Sequence, residues 1–335
     1  MKKLGILILS IIFIISITGC SGKDNLAAVD PNDSEEIIYE LKSGSNVTSV
    51  AEELEEMGYI RKAKSFKAYA KENELTDIKA GDYLISKSMS SSDILNKFVS
   101  GDNYKGTKIL VPEGYEAVQI AAKLEESGLC SKEEFMKVVN NPSLFEDKYD
   151  FINGDEIKTL EGYLFPRTYF FKKDATPEEI ADEMLNQFNI VYQANIKPNM
   201  DKTKLSLKDV VILASVVERE AAIDTEMPLV ASVFLNRLDI SMPLQSCATV
   251  QYILGERKPI LSTADTKIDS PYNTYQNAGL PISAIASPGE KAIMAVLEPA
   301  KTKYLYFLAK NDGSKEQVYS ETYEEHLKNK EKYLK

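Results

Sequence analysis

The sequence predicts an α+β fold, with one or more small βααβ modules ahead of a mixed α+β domain that carries the functional residues. Three observations support this. The first half holds an internal repeat, the residue character changes at Thr159, and helical periodicities alternate with short apolar strands throughout. The 335 residues allow about two domains. Apolar residues are 44% and charged residues 27% of the chain, the balance of an ordinary folded protein.

The first element is an address. Met1-Lys2-Lys3 is a basic start, and Leu4 to Ile17 is apolar apart from Gly5, Ser10 and Ser16. That length suits the core of a signal peptide and is short for a membrane span. It ends in Ile17-Thr18-Gly19-Cys20, which resembles a bacterial lipobox. The resemblance implies removal of residues 1–19 and lipid attachment at Cys20. An uncleaved anchor is the other reading, and both place the remainder outside the cytoplasm. Residues 20–36 are polar and rich in turn-forming types, and read as a tether.

The repeat follows. Gly44, Ala51, Leu54, Glu55-Glu56 and Gly58 recur as Gly114, Ala121, Leu124, Glu125-Glu126 and Gly128. Each copy predicts a short strand (37–41, 108–111), a glycine turn and an amphipathic helix. Val47, Val50, Ala51 and Leu54 face inward in the first helix, and Val118, Ile120, Ala121 and Leu124 in the second. Gly58 and Gly128 stand at the helix C-caps, and a second helix carries Phe66 or Phe135. In the first copy 78–86 returns as a strand, and Ser90 to Asp93 opens a helix through Val99. This plan looks like a LysM-type glycan-binding module, assigned to 37–104, with a second related βαα repeat over 105–158. A structural spacer accounts for the same pattern equally well.

Residues 159–335 form the third region. Thr176-Pro177-Glu178-Glu179 opens a helix over 180–192, and Ser206 with Asp209 caps another. Val210 to Val217 is apolar on nearly every side, so this helix is expected to be buried, with Glu218 at its far end. The helical neighbours of Glu218 are Val211, Ala214, Ser215, Ala221 and Ala222. A carboxyl on that small, apolar surface would be desolvated and its pKa raised, as a general acid requires. A paired or exposed helix-end acid, with Arg219 or another base as partner, is the alternative. Glu220 faces another direction, so the two glutamates do not form a dyad. A further helix spans 226–238 and closes with Asn236 and Arg237. Polar loops follow at 243–252 and 269–275, rigid turns at 279–281 and 287–289, and a strand at 304–308.

Composition narrows the chemistry. A net charge of −11 argues against a nucleic-acid partner, whose phosphates call for basic patches. One histidine, His326, leaves no two-histidine metal site and almost no serine triad. The three cysteines, Cys20, Cys130 and Cys247, lack metal or redox spacing. Cys130 and Cys247 could pair or stay as separate buried thiols. Catalysis therefore falls to the 51 carboxylates, with hydroxyls and amides in support.

Seven segments appear in a specific order: Glu161-Gly-Tyr-Leu-Phe-Pro166, Leu213-Ala-Ser-Val-Val-Glu218-Arg-Glu-Ala221, Val230-Ala-Ser-Val-Phe-Leu-Asn-Arg237, Leu244-Gln-Ser246, Tyr272-Asn-Thr-Tyr275, Gly279-Leu-Pro281 and Tyr304-Leu-Tyr-Phe307. Together they resemble the YceG-like endolytic murein transglycosylases (MltG family). The resemblance runs from about residue 37 to the C-terminus. It implies a membrane-attached, extracytoplasmic lytic transglycosylase acting on nascent peptidoglycan glycan strands, with peptidoglycan synthases as partner enzymes. It puts the catalytic role on Glu218 and substrate contacts on Glu161, Tyr163, Ser215, Glu220, Asn236, Arg237, Gln245, Ser246, Thr249, Tyr272, Asn273 and Tyr275. It implies no cofactor and no metal. A pyridoxal-phosphate lyase, a description sometimes attached to the family, conflicts with the export signal and finds no lysine in a cofactor motif. The chain departs from the family pattern at Arg167, Cys247-Ala248, Ile282-Ser283-Ala284, Gln317 and Leu327. These departures keep a second reading open, a catalytically weak protein of the same fold that binds glycan or scaffolds synthases.

Overall fold

The computed structural model describes residues 24–34, 36–153, 156–258 and 260–334. The signal-peptide reading and the lipidation of Cys20 lie outside the described residues. The architecture is mixed α+β, with three two-stranded antiparallel sheets and eleven α-helices among the described residues. The chain divides into two compact units, one ending at Lys105 and one starting at Gly106.

The first unit is a βααβα module: β1 (Glu36–Leu41), α1 (Val47–Glu56), α2 (Ala63–Glu72), β2 (Gly81–Ser86) and α3 (Ser91–Ser100). β1 and β2 pair antiparallel with Tyr39 opposite Tyr83. The inward faces of all five elements close on Leu54, Phe66, Tyr83, Ile85, Leu95 and Phe98, each fully buried. Asn46 caps α1 by accepting the Thr48 and Ser49 N–H groups, and Ser90 caps α3 with Asp93 answering its backbone. Gly58 takes the left-handed conformation that ends α1, at φ +76°, and Gly128 repeats this at +75° in the second copy. Residues 28–33, polar in composition, run along this module. The Ala28 carbonyl accepts from Arg61, and Lys87 pairs with Asp33 at 3.0 Å.

The second unit begins with the second copy: β3 (Thr107–Leu110), α4 (Ala117–Glu126) and α5 (Lys132–Val139). Its returning strand, β4 (Thr168–Phe171), lies beyond residue 158 and pairs antiparallel with β3, placing Ile109 opposite Tyr169. α6 (Pro177–Val191) follows and packs on α5. The second copy is thus also βααβα, with residues 140–167 inserted before its second strand. That insertion supplies Glu161, Gly162 and Tyr163, so one continuous core joins the repeat to the helices after it.

Those helices are α7 (Leu207–Glu220), α8 (Met227–Asp239), α9 (Cys247–Leu254) and α10 (Glu290–Leu297). The β5 (Tyr306–Ala309) and β6 (Gln317–Ser320) hairpin and α11 (Tyr323–Tyr333) complete the chain. α7 is the central rod. Val210 to Val217 are all buried, as the unbroken apolar run requires, and α8, α9 and α10 pack around it. Glu218, Arg219 and Glu220 emerge at its C-terminal end, half-buried.

Gly162 sets how closely the inserted segment approaches α7. Its φ is +91°, and a Cβ there would lie 2.5 Å from Ala284 Cβ and 2.9 Å from Val211 Cγ1. Gly162→Ala adds both overpacking and backbone strain, and should lower unfolding free energy by about 2–4 kcal/mol. Urea denaturation of the variant beside the parent measures this, and a change under 0.5 kcal/mol would show that the loop yields.

Candidate active site

Glu218 is held where three chain segments meet. α7 supplies the carboxyl, the turn Pro112–Glu116 approaches from the repeat, and Ala284–Gly289 leads into α10. The last two are tied backbone to backbone. Gly114 N–H donates to Ser287 O at 2.8 Å, and Ser287 N–H donates to Tyr115 O at 2.7 Å. Ser215, one helical turn before Glu218, donates to Ile212 O at 2.7 Å and accepts the Ile285 N–H at 3.0 Å, which fastens the same loop to α7.

Beside it, Arg219 forms an ion pair with Glu116 at 2.8 Å, and both side chains are at most 10% exposed. Taking two charges out of water costs several kcal/mol unless geometry and hydrogen bonds are good, and breaking one partner leaves the other uncompensated. The pair therefore works as a registration device, fixing the end of α7 on the turn that starts α4.

The Glu218 carboxyl receives one anchor, the Gly289 N–H at 3.0 Å on Oε2. Gly289 is the N-cap of α10, so helix polarity and this hydrogen bond both favour the ionised form. Burial opposes them and wins. Desolvation, aided by the negative charges of Glu113 and Asp224, pushes the Glu218 carboxyl up to about 7 against an ordinary 4.5, with Lys291 pulling weakly the other way. Glu218 can therefore carry a proton near neutral pH and lose it within the same range.

Glu220 faces elsewhere, as its position two residues on predicts. Its carboxyl accepts from Ser246 Oγ at 2.5 Å and from Ala248 N–H at 3.1 Å, and so caps α9. The same loop is knit by Thr249, whose hydroxyl donates to Ser246 O and meets Thr274 Oγ1 at 2.9 Å. Gln245 is exposed, with φ +50°, and its N–H donates to Thr274 O. Asn273 is fully buried, and its amide donates to Thr266 O and Ile268 O and accepts from Tyr275 N–H. The Tyr275 hydroxyl lies 3.1 Å from Cys247 Sγ. Asn236 and Arg237 tie α8 to the β5 approach: Asn236 donates to Thr302 O and Tyr304 O, and Arg237 to Leu305 O and Leu244 O. In Ser215, Asn236, Arg237, Thr249 and Asn273 the polar groups are already used inside the protein. Gln245 and Tyr275 keep accessible surface.

A cavity of about 630 Å³ holds a third group. Glu161, Tyr163 and Tyr272 line it together with Ile212 and Lys208 of α7. Glu218 does not, because Ile212 and Glu218 lie about 120° apart around the helix. Glu161 is 4% exposed and accepts the Ala117 N–H on both oxygens at 3.0 Å. Burial pushes its carboxyl up to about 8, against that hydrogen bond. Glu161 thereby links the cavity wall to the start of α4, and Tyr272 closes the rim through Ser283 at 2.7 Å.

Residue pattern alone did not single out Glu113, Glu116 or Lys291. Glu113 and Glu116 flank the repeat glycine Gly114, and that placement was the available signal. No group of three or more His, Cys, Asp or Glu among the described residues is arranged to hold a metal ion.

Comparison with known proteins addresses the whole chain. The model of the YceG-like family matches residues 39–332. The chain belongs to the YceG-like family. It is 37% identical to the endolytic murein transglycosylase of Bacillus subtilis (strain 168), over 93% of this chain and 89% of that one. It is 33% identical to the endolytic murein transglycosylase of Streptococcus pneumoniae (strain D39), covering 91% of this chain and 60% of that longer relative. A crystal structure of a yceG-like protein of Listeria monocytogenes superimposes with a TM-score of 0.60 at 36% identity, over 88% of this chain and 99% of that one.

The positions that depart from the YceG-like pattern have local structural roles. Arg167 hydrogen-bonds Gln187. Gln317 donates its side-chain amide to Glu220 O at 2.8 Å and its backbone N–H to Glu226. Cys247 and Cys130 are both free thiols. Leu327 is exposed, and the neighbouring His326 stacks on Tyr306 at 5.3 Å. None of these residues hydrogen-bonds Glu218.

Because the folded state holds the Glu218 proton more tightly than the unfolded chain, ionising it works against the fold. The burden is absent below about pH 4.5, grows as pH rises, and is complete above about 7. Glu218→Gln keeps an acceptor for Gly289 and removes the charge. Its stability relative to the parent should therefore rise by about 1–2 kcal/mol between pH 4.5 and pH 8 in urea unfolding. A pH-independent difference would mean that Glu218 is not desolvated.

Proposed function

We propose that the protein is an endolytic murein transglycosylase, a lyase that cleaves within peptidoglycan glycan strands. The observation that carries the reading is the half-buried Glu218 carboxyl, raised to about 7 and anchored on Gly289. It stands in a chain whose relatives of 33–37% identity carry that activity in their names. Glu218 in its acid form protonates the oxygen that joins N-acetylmuramic acid to N-acetylglucosamine, and the C1–O bond breaks. The muramic C6 hydroxyl attacks C1 of the same sugar, and its proton passes to the Glu218 carboxylate. The strand ends in 1,6-anhydro-muramic acid and the acid is regenerated. No water and no carboxylate nucleophile enter the balance, unlike the two-carboxylate hydrolases.

Export and lipid anchoring at Cys20 belong to the same reading. The lipobox-like Ile17-Thr18-Gly19-Cys20 supports them, and they would hold the enzyme at the outer face of the membrane near nascent strands and their synthases. A lipid mass on Cys20 in the mature protein tests the anchor. The βααβα plan of the repeats is LysM-like, and glycan binding by the first copy belongs to the same proposal.

Residues 21–335 on un-crosslinked polymeric peptidoglycan should release fragments with anhydro-muramic ends, read by mass spectrometry. Glu218→Gln should lower the rate at least about 100-fold, since general acid catalysis alone contributes about 10²–10⁴. kcat/KM should fall above about pH 7, where the free enzyme loses the Glu218 proton. Equal product from the Gln variant would sink the mechanism.

A further inference from the structure

Glu113 occupies an unusual place beside the acid. It sits in the turn that leads into α4, with its side chain exposed and its carboxyl resting on Gly289. A Cβ at position 289 would lie 2.2 Å from Glu113 Oε1 and 2.5 Å from its carboxyl carbon, so the carboxyl lies directly against the Gly289 Cα. The N–H of the same Gly289 anchors Glu218 Oε2 at 3.0 Å. The two acids therefore meet on one residue, and standard backbone dimensions bound their nearest oxygens to within about 8 Å.

The backbone on either side of this contact is tied together. The residue after Glu113 donates to Ser287 O and the one after that accepts from Ser287 N–H, which locks the turn against the loop holding Gly289. Gly114 at φ +73° packs so closely that its missing Cβ would touch Glu218 Cγ at 3.6 Å and Arg219 Cδ at 3.5 Å. The cations nearby are engaged elsewhere. Lys291 bonds Asp224 at 2.5 Å and Arg219 bonds Glu116 at 2.8 Å, while among the described residues no hydrogen bond or ion pair engages the Glu113 carboxyl, which Lys291 reaches only through its longer-range field. A carboxylate beside a desolvated acid makes ionising that acid harder, an arrangement that catalytic sites use to hold a proton.

We propose that Glu113 is a second working carboxylate of the Glu218 site, a fixed negative charge that faces the muramic C1 and stabilises the positive charge developing there as the glycosidic bond breaks. Glu113 exchanges no proton and forms no bond. Glu218 delivers the proton to the leaving oxygen and recovers one from the C6 hydroxyl. The same negative charge opposes ionisation of Glu218, in concert with Asp224 and against Lys291. The inference rests on the transglycosylase reading above.

The experiment compares the parent with Glu113→Gln, Glu113→Asp and Glu218→Gln, with anhydro-end formation followed from pH 5 to 9. Glu113→Gln is nearly isosteric and keeps the packing on Gly289, and circular dichroism checks its fold. The expected result is a kcat 10- to 100-fold lower with KM within twofold, and an alkaline limb displaced to lower pH, because Glu218 then ionises more readily. Glu113→Asp should recover most of the rate. A Glu113→Gln profile that superimposes on an active parent, or a loss confined to KM, overturns this inference and leaves the transglycosylase reading standing. An inactive parent overturns both.

Discussion

The short double hydrogen bond between the Gly114–Tyr115 turn and Ser287 is the contact on which the active region depends. It joins parts of the chain distant in sequence, the second copy of a repeat and the loop before α10. α7 is caught between them, with Ser215 fastened to one side and Arg219 paired to Glu116 on the other. Each of these bonds is modest alone, about 1 kcal/mol for a neutral hydrogen bond. Their combined effect is geometric, because they hold α7 against the loop whose Gly289 N–H sets the direction of the Glu218 carboxyl.

That direction is a compromise between opposing forces. A helix N-terminus and a backbone N–H would ordinarily make a carboxylate more acidic. Here apolar surroundings outweigh both. The small neighbours read from the sequence, Ala214, Ser215 and Ala221, matter for this reason. They leave no side chain long enough to solvate or pair the carboxyl, and Arg219 is committed to Glu116. Arg219 is therefore not the partner of Glu218, whose one hydrogen-bond anchor is the Gly289 N–H.

Much of this was visible in residue order. The glycines and leucines of the repeat mark two helical starts and stops that the structure places as expected. The unbroken apolar run at Val210–Val217 forecasts the buried rod. The capping residues Ser90, Thr176 and Ser206 locate three helix N-termini. What sequence could not supply is nonlocal. Nothing near Glu113 announces Gly289, and nothing near Glu220 announces Ser246. Spacing reads the second copy as βαα and ends it at residue 158, because its closing strand is separated from α5 by an insertion and spacing rules assume near neighbours. The polar motif residues Asn236, Arg237 and Asn273 look like ligand contacts in a list of amides and guanidinia. Their folded positions show backbone carbonyls as partners, a distinction that only three dimensions make.

The insertion has a further consequence, for the order in which the chain can fold as it emerges. The first copy has all its elements in hand by residue 100, and its strands can pair as soon as Ser86 is out. The second copy holds β3 unpaired until Phe171 appears, about 60 residues later, and loop closure over that span carries a larger entropic penalty. For that interval Ile109 and Val111, buried in the finished protein, face solvent. Gly114, and with it the seat of Glu218, has no partner until Ser287 follows. The catalytic geometry is therefore among the last things this chain acquires, and a truncated product would carry the repeat without the site.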